Sequence, residues 1–167
     1  FCLPGGKVGV YTGILPVTKD EAGLATVIGH EVAHAEYRHG NERVSQAMLT
    51  QLGGSLVQSG LAAYGYDAQT QAVAASAYGM TAQLGLALPH NRTQESEADY
   101  IGLLRMAQAG YPPEASVAFW ERFASYKEQG GDGGPPWFLR THPMDEKRIA
   151  DLKKWMPEAR AQFRPNP

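Results

Sequence analysis

His30-Glu31-Val32-Ala33-His34 has the pattern H-E-x-x-H. On an α-helix, residues four apart lie about 40° apart around the axis and about 6 Å apart along it, so the two imidazoles can close on one metal ion. Zinc accepts histidine nitrogens at about 2.0–2.1 Å. Glu31 is turned about 100° from His30, so it flanks the metal instead of binding it. The pattern therefore predicts a zinc site with Glu31 as general base.

The sequence around this pattern predicts a helix from about 19 to 39. Thr18-Lys19-Asp20-Glu21 has the form of a capping box with Thr18 as the N-cap, and apolar residues then recur at helical spacing. His39 lies about 180° from His30 around such a helix. We interpret His39 as a partner of the helix C-terminus and not as a metal ligand.

A second acidic motif, Glu95-Ser96-Glu97-Ala98-Asp99, supplies candidates for the missing ligand. Two histidines leave a catalytic zinc one protein ligand short, and a carboxylate from another helix can complete the set. Glu95 and Asp99 share a helix face, so Glu95 can bind zinc while Asp99 accepts the outer N–H of a zinc-bound histidine. Glu97 points about 200° away from Glu95, which is typical of a solvated carboxylate.

The third motif is Thr141-His142-Pro143, which follows the Gly/Pro-rich segment 130–136. Pro143 can open a helix, and the glycines before it can form a mobile lid. A histidine at this place can donate a hydrogen bond to an oxyanion, or it can become a fourth ligand that closes the site. A structural role as a helix cap is the third alternative, and the sequence leaves all three open.

Taken together, these motifs resemble those of a known family, the zinc metallopeptidases of the CAAX prenyl protease, HtpX and BepA type, which include a mitochondrial inner-membrane stress protease. The resemblance extends to Arg148-Ile149 and to segment 3–15, which is similar to the strand before the zinc helix in that family, so it covers nearly the whole chain. It implies one zinc ion per chain and the following roles: His30, His34 and Glu95 as ligands, Glu31 as catalytic base, Asp99 as the partner of a ligand, and His142 as a regulatory or oxyanion histidine.

Composition agrees with one catalytic domain spanning 1–167. A chain of 167 residues with 43% hydrophobic residues can bury a sizeable core. The net charge of −2, without a Lys/Arg cluster, excludes an electrostatic case for nucleic acid. Cys2 is the single cysteine and cannot form an internal disulfide. Because the chain begins at Phe1, we expect a fragment or trimmed domain that lacks an N-terminal part.

The expected fold is α+β and mainly helical, a gluzincin-like zincin whose short sheet has an edge strand at about 7–12 flanking the zinc helix. Segments 44–66 and 68–89 contain no charged residue and are each long enough to cross a bilayer. HtpX-like relatives have a transmembrane hairpin there. Several Gln and Ser side chains interrupt both segments here, which favours a soluble helical hairpin with a surface that could face a membrane or a membrane-protein partner.

The resemblance implies an endopeptidase that cuts unfolded or misassembled proteins at a membrane or in a bacterial cell envelope. A free strand edge can hold an extended substrate by main-chain hydrogen bonds, which makes specificity loose. The alternative is a chaperone or assembly factor that binds clients and keeps its zinc in a closed site with four protein ligands. The sequence does not separate these two hypotheses.

Overall fold

The computed structural model describes residues 1–3, 5–128, 142 and 146–165. Their fold is mainly helical with one two-stranded sheet, which confirms the predicted class at this level. The zincin assignment and the single-domain organisation stay predictions. The chain divides into two compact units, one formed by 1–37 with 95–167 and the other by 38–94.

The elements follow one another along the chain as a short hairpin and then helices. The first half contains β1 (Cys2–Leu3), β2 (Lys7–Val8), a 3-10 turn (Thr12–Ile14), α1 (Leu15–Thr18), α2 (Glu21–Glu36) and α3 (His39–Ala63). The second half contains α4 (Ala68–Ala82), a π-helical turn (Gln83–Ala87), α5 (Leu88–Gln108), α6 (Glu114–Glu128) and α7 (Glu146–Gln162).

The sheet is smaller than the sequence indicates. β1 and β2 pair antiparallel, with Cys2 opposite Val8, and it is β1, outside the predicted strand at 7–12, that packs against α2. The predicted strand at 7–12 ends at Val8, because the chain enters a 3-10 turn at Thr12 that continues into α1. Pro16 near the start of α1 favours this early helix.

The N-cap of α2 is Asp20, so the prediction of Thr18 is wrong. The Asp20 carboxylate accepts the Gly23 N–H at 2.7 Å, and Asp20 has the extended backbone of an N-cap. Thr18 is instead the last residue of α1, where its hydroxyl donates to the Leu15 carbonyl at 3.2 Å. Lys19, with φ of 66°, separates the two helices, so α2 begins later than predicted.

The interpretation of His39 as a partner of the C-terminus of the zinc helix is also wrong. α2 ends at Glu36, and Arg38 adopts the left-handed conformation with φ of 58°, which breaks the helix. His39 is the first residue of α3 and is buried there. It therefore has no place at the C-terminus of α2.

Two glycines bring α2 and α5 unusually close together. A methyl group on Gly102 would lie 2.7 Å from the backbone nitrogen of His30, and one on Gly29 would lie 2.8 Å from the Gly102 carbonyl oxygen. Real Cβ atoms do not approach backbone atoms this closely, so any side chain at either position would hold the helices apart. The contact places His30 next to the face of α5 that contains Glu95 and Asp99.

The core of this first unit is built mainly from residues of α5, α6 and α7. α6 contributes three fully buried aromatic side chains, and α5 and α7 add aliphatic ones. α7 continues past the predicted end at Trp155 and through Pro157, because Met156 and Ala159 are buried in the same core. The predicted helix start at Pro143 and the lid at 130–136 lie outside the described residues. The core residues are Ile14, Val17, Val27, Leu103, Met106, Phe119, Trp120, Phe123, Leu152, Met156 and Ala159.

The second unit, 38–94, is built on the packing of α3 against α4, which confirms the predicted helical hairpin. Gly65, with φ of 82°, makes the turn, and Asp67 caps α4 by accepting the Thr70 N–H at 2.9 Å. Many of its apolar side chains are exposed, such as Leu56 at 73%. Among the helices of the described residues, none combines the length and the apolar character that crossing a bilayer requires.

Candidate metal centre

Four side chains meet in the first unit: His30 and His34 from α2, Glu95 from α5, and His142. Each offers one ligand atom, and these atoms all lie within 4.8 Å of one another. Nε2 of His30 is 3.0 Å from Nε2 of His34 and 3.3 Å from a Glu95 carboxylate oxygen. Nε2 of His34 is 3.4 Å from the other Glu95 oxygen. The structure thus brings together the three ligands that the resemblance implies.

These separations fit a zinc ion. Four ligands at about 2.0–2.1 Å around a tetrahedral metal lie about 3.3 Å from one another. The two imidazole nitrogens are 3.0 Å apart, and they lie 3.3 and 3.4 Å from different oxygens of the Glu95 carboxylate, so all three distances are of this size. Two imidazoles and a carboxylate are also a ligand set found in catalytic zinc sites.

His142 lies beside these three residues and belongs to the same group. Its Nδ1 is 2.8 Å from Oε2 of Glu95 and 3.1 Å from Nε2 of His30. Its other ring nitrogen, Nε2, is 3.0 Å from Oε1 of Glu31. One imidazole therefore faces both the candidate ligands and the candidate base.

Glu31 is buried beside the four-residue group without being part of it. Burial alone would raise the pKa of its carboxyl group, but the hydrogen bond and charge of His142 and the charge of His30 outweigh burial and lower the pKa to about 2. Glu31 is therefore an ionised carboxylate at neutral pH, which is the form that can accept a proton.

The pKa values of the two candidate ligand histidines shift in opposite directions. Burial is the largest influence on both and lowers the pKa of each. For His30 the hydrogen bonds with Asp99 and Glu95 overcome burial and raise the pKa to about 9. For His34 burial prevails and lowers the pKa to about 4. Metal binding needs the neutral imidazole of both residues.

Asp99 lies where the sequence predicts it, at the outer nitrogen of His30. Nδ1–H of His30 donates to Oδ1 of Asp99 at 2.9 Å, which leaves Nε2 facing the metal site. Asp99 also accepts two hydrogen bonds from Arg148, both at 2.6 Å. Burial would raise the pKa of Asp99, but the charge of Arg148 and the hydrogen bond with His30 hold it below its usual value.

The sequence does not determine which residue the Arg148 side chain contacts. Its position six residues after His142 is compatible with a bracing salt bridge or with an anchor for the lid. The structure buries its side chain against Asp99, 49 residues away along the chain. Spacing within one helix does not reveal such a contact, and the family motif was the only available signal.

We expect the substitution Glu95→Ala to abolish stoichiometric zinc binding, because it removes one of the three predicted ligands. Glu97→Ala is the matched control, since Glu97 is exposed two residues further along α5. Metal analysis after dialysis measures the zinc content of both variants. Full zinc in the Glu95 variant together with loss in the Glu97 variant would show that the wrong glutamate has been identified as the ligand.

Comparison with known proteins agrees with this geometry. The model of peptidase family M48 matches residues 1–156. The chain belongs to peptidase family M48. M48 metallopeptidases use zinc, which confirms the predicted cofactor, and the group formed by His30, His34, Glu95 and His142 could hold one ion.

Relatives of this M48 chain come from eukaryotes and bacteria. It is 37% identical over 161 residues to "Mitochondrial metalloendopeptidase OMA1" of Saccharomyces cerevisiae and 41% identical over 162 residues to the protein of that name in Schizosaccharomyces pombe. These alignments cover 95% and 97% of this chain and 44% of each relative. A "Putative beta-barrel assembly-enhancing protease" of Vibrio cholerae is 32% identical over 160 residues, which cover 92% of this chain and 31% of the relative.

The M48 chain thus spans less than half the length of these curated relatives. It matches no solved structure. The expected bacterial cell envelope is wrong, because the two yeast relatives are mitochondrial by name, although bacterial relatives are also found. The motifs that carried the resemblance are shared across the family, so they contain no information on compartment.

Proposed function

We propose that this chain is the catalytic part of a zinc-dependent endopeptidase that acts on unfolded or misassembled proteins. The observation that carries the proposal is the convergence of His30, His34 and Glu95, with 3.0 to 3.4 Å between their candidate ligand atoms, and the Glu31 carboxylate beside them. A zinc site that binds one substrate oxygen and has a carboxylate within reach is suited to hydrolysis of an amide.

In this mechanism each residue has one task. Zinc, when bound, supplies Lewis acidity that polarises the scissile carbonyl and makes water more acidic. Glu31 accepts the proton of the attacking water and passes it to the leaving amine. Asp99 holds His30 in the tautomer that presents Nε2 to the metal.

An apolar cleft next to Glu31 supports a loosely specific substrate site. Its wall includes Val10 and Tyr11 from the segment after β2, and Val27 and Ile28 from α2. Val10 and Tyr11 are exposed, so an extended peptide can lie along them and pack apolar side chains against them. Unfolded proteins expose such side chains and folded ones bury them. The name of the Vibrio relative adds support for a role in protein quality control.

The second candidate function is a client-binding assembly factor with latent zinc. The position of His142 favours it, since Nδ1 lies 2.8 Å from Glu95 and 3.1 Å from His30 and would complete a four-ligand site. A zinc held by four protein ligands has a structural role and no open position. Movement of His142 away from the site would convert this state into the peptidase.

A matched pair of substrates tests the proposal. A small disulfide-bonded protein is offered to the zinc-loaded chain in its native form and after reduction and alkylation, so that only folding differs. We expect cleavage of the unfolded form alone, at several sites, detected by mass spectrometry of the peptides. Equal cleavage of both forms would contradict the substrate class. Binding of the unfolded form without cleavage would favour the assembly factor.

A further inference from the structure

Arg148 is a buried cation beside the metal centre, with 5% of its surface exposed. Nε and Nη2 donate to the two oxygens of Asp99, both at 2.6 Å, so the guanidinium and the carboxylate pair in the two-pronged manner. Its Nη1 lies 3.6 Å from Oε2 of Glu95. The guanidinium thus reaches both carboxylates of α5 that face the metal centre.

Asp99 bonds to the edge of the guanidinium, and Trp120 covers one of its flat faces. The guanidinium carbon lies 3.7 Å from the centre of the indole ring, a close cation–π contact. Trp120 is itself buried and meets the His30 ring edge-on, with ring centres 6.0 Å apart. One arginine therefore connects α7 to α5 and α6 around the first ligand histidine.

From this arrangement we infer that Arg148 is a positioning residue of the metal centre. It fixes the Asp99 carboxylate in the orientation in which Oδ1 meets Nδ1 of His30, and so it aims Nε2 of His30 at the metal. The inference rests on one part of the proposed function, namely that zinc binds at this site. Nothing in it requires that peptide bonds be cut.

The geometry explains why an arginine is needed. A lysine ammonium is a point charge that cannot bond both carboxylate oxygens in parallel, and it has no flat face for the indole. With lysine at 148, the Asp99 carboxylate would keep its charge partner but lose its fixed orientation. The His30 ring would then be free to turn, and ligand geometry would suffer more than folding.

A plain stability role is the competing explanation, because breaking any buried ion pair is costly. The chain offers a matched control in Arg122, whose guanidinium donates to the backbone carbonyls of Val17 and Thr18, both at 3.0 Å. Arg122→Lys removes a similar two-pronged contact from the same unit without touching the metal centre. The two substitutions therefore separate an effect on the metal from an effect on the fold.

The experiment measures zinc affinity by competition with a chromophoric chelator, in the absence of substrate. We expect Arg148→Lys to weaken zinc binding by about 10–100-fold, the range typical of residues that orient a ligand, and Arg122→Lys to leave it unchanged. Thermal unfolding of both variants is recorded alongside. Unchanged zinc affinity in Arg148→Lys, with a loss of stability like that of Arg122→Lys, would overturn the inference.

A double-mutant cycle with Asp99→Asn tests the route through Asp99. If Arg148 acts through that carboxylate, the zinc affinity of the double variant equals that of the single variant with the lower zinc affinity. Additive losses would contradict the route. Should Arg148→Lys not fold, Arg148→Gln is measured in the same cycle, since its amide can donate to Asp99 without burying a charge. A parent chain that binds zinc but cleaves nothing would refute the proposed function while leaving this test intact.

Discussion

Glu31→Gln is expected to lower cleavage of an unfolded substrate by on the order of 10²–10⁴-fold, the usual contribution of a general base. The glutamine side chain has nearly the same shape but cannot take a proton from water. Zinc content should stay at one ion per chain, because Glu31 is not among the four candidate ligands. Peptide release and metal analysis on the same sample measure both results.

Glu97→Gln is the control for this prediction, since it makes the same chemical change at an exposed site on α5. It should cleave at the parent rate. Substantial turnover by the Glu31 variant would remove Glu31 from the mechanism. Loss of zinc along with activity would mean that Glu31 supports the metal site instead of moving a proton.

His142→Ala is expected to raise cleavage, including self-cleavage. Nδ1 of His142 lies 2.8 Å from Glu95 and 3.1 Å from His30, and Nε2 faces Glu31, so this one side chain would occupy both the open position of a bound zinc and the base. If the site is open about a tenth of the time, removal of the block raises the rate about tenfold. Initial rates on an unfolded substrate measure the change.

The opposite result has a definite meaning. If His142 stabilises the oxyanion instead, the same substitution lowers kcat by on the order of 10²–10³-fold. His90→Ala serves as the control, because His90 is outside the group of candidate ligands. Unchanged activity together with unchanged zinc affinity would refute both roles and leave His142 as a structural residue.

The parts of the site that sequence predicts are those set by the geometry of a single helix. His30, Glu31 and His34 are placed relative to one another by helical spacing, and so are Glu95 and Asp99. The meeting of the two sets depends on the contact between Gly29 and Gly102, which only the tertiary structure shows. The sequence pattern alone predicts which residues are ligands, but it does not give the distances between the ligand atoms of α2 and those of α5.

The errors arose where neighbouring signals competed. Thr18 and Asp20 are both good N-cap residues, and the choice was decided by α1, which takes up Thr18 as its last residue. The sequence places His39 in the wrong helix, because the pattern of apolar residues does not reveal the left-handed turn at Arg38. Arg148 pairs with a residue of another helix, and such contacts follow from packing rather than from spacing.

If one zinc ion at this site makes the chain a peptidase, reconstitution of the metal-free chain with zinc restores its activity. The chain is stripped with a chelator, and cleavage of an unfolded substrate is followed as zinc is added back. We expect no cleavage without zinc and a linear recovery that ends at one ion per chain. Full cleavage by the stripped chain, or no cleavage when one zinc is tightly bound, would contradict the claim.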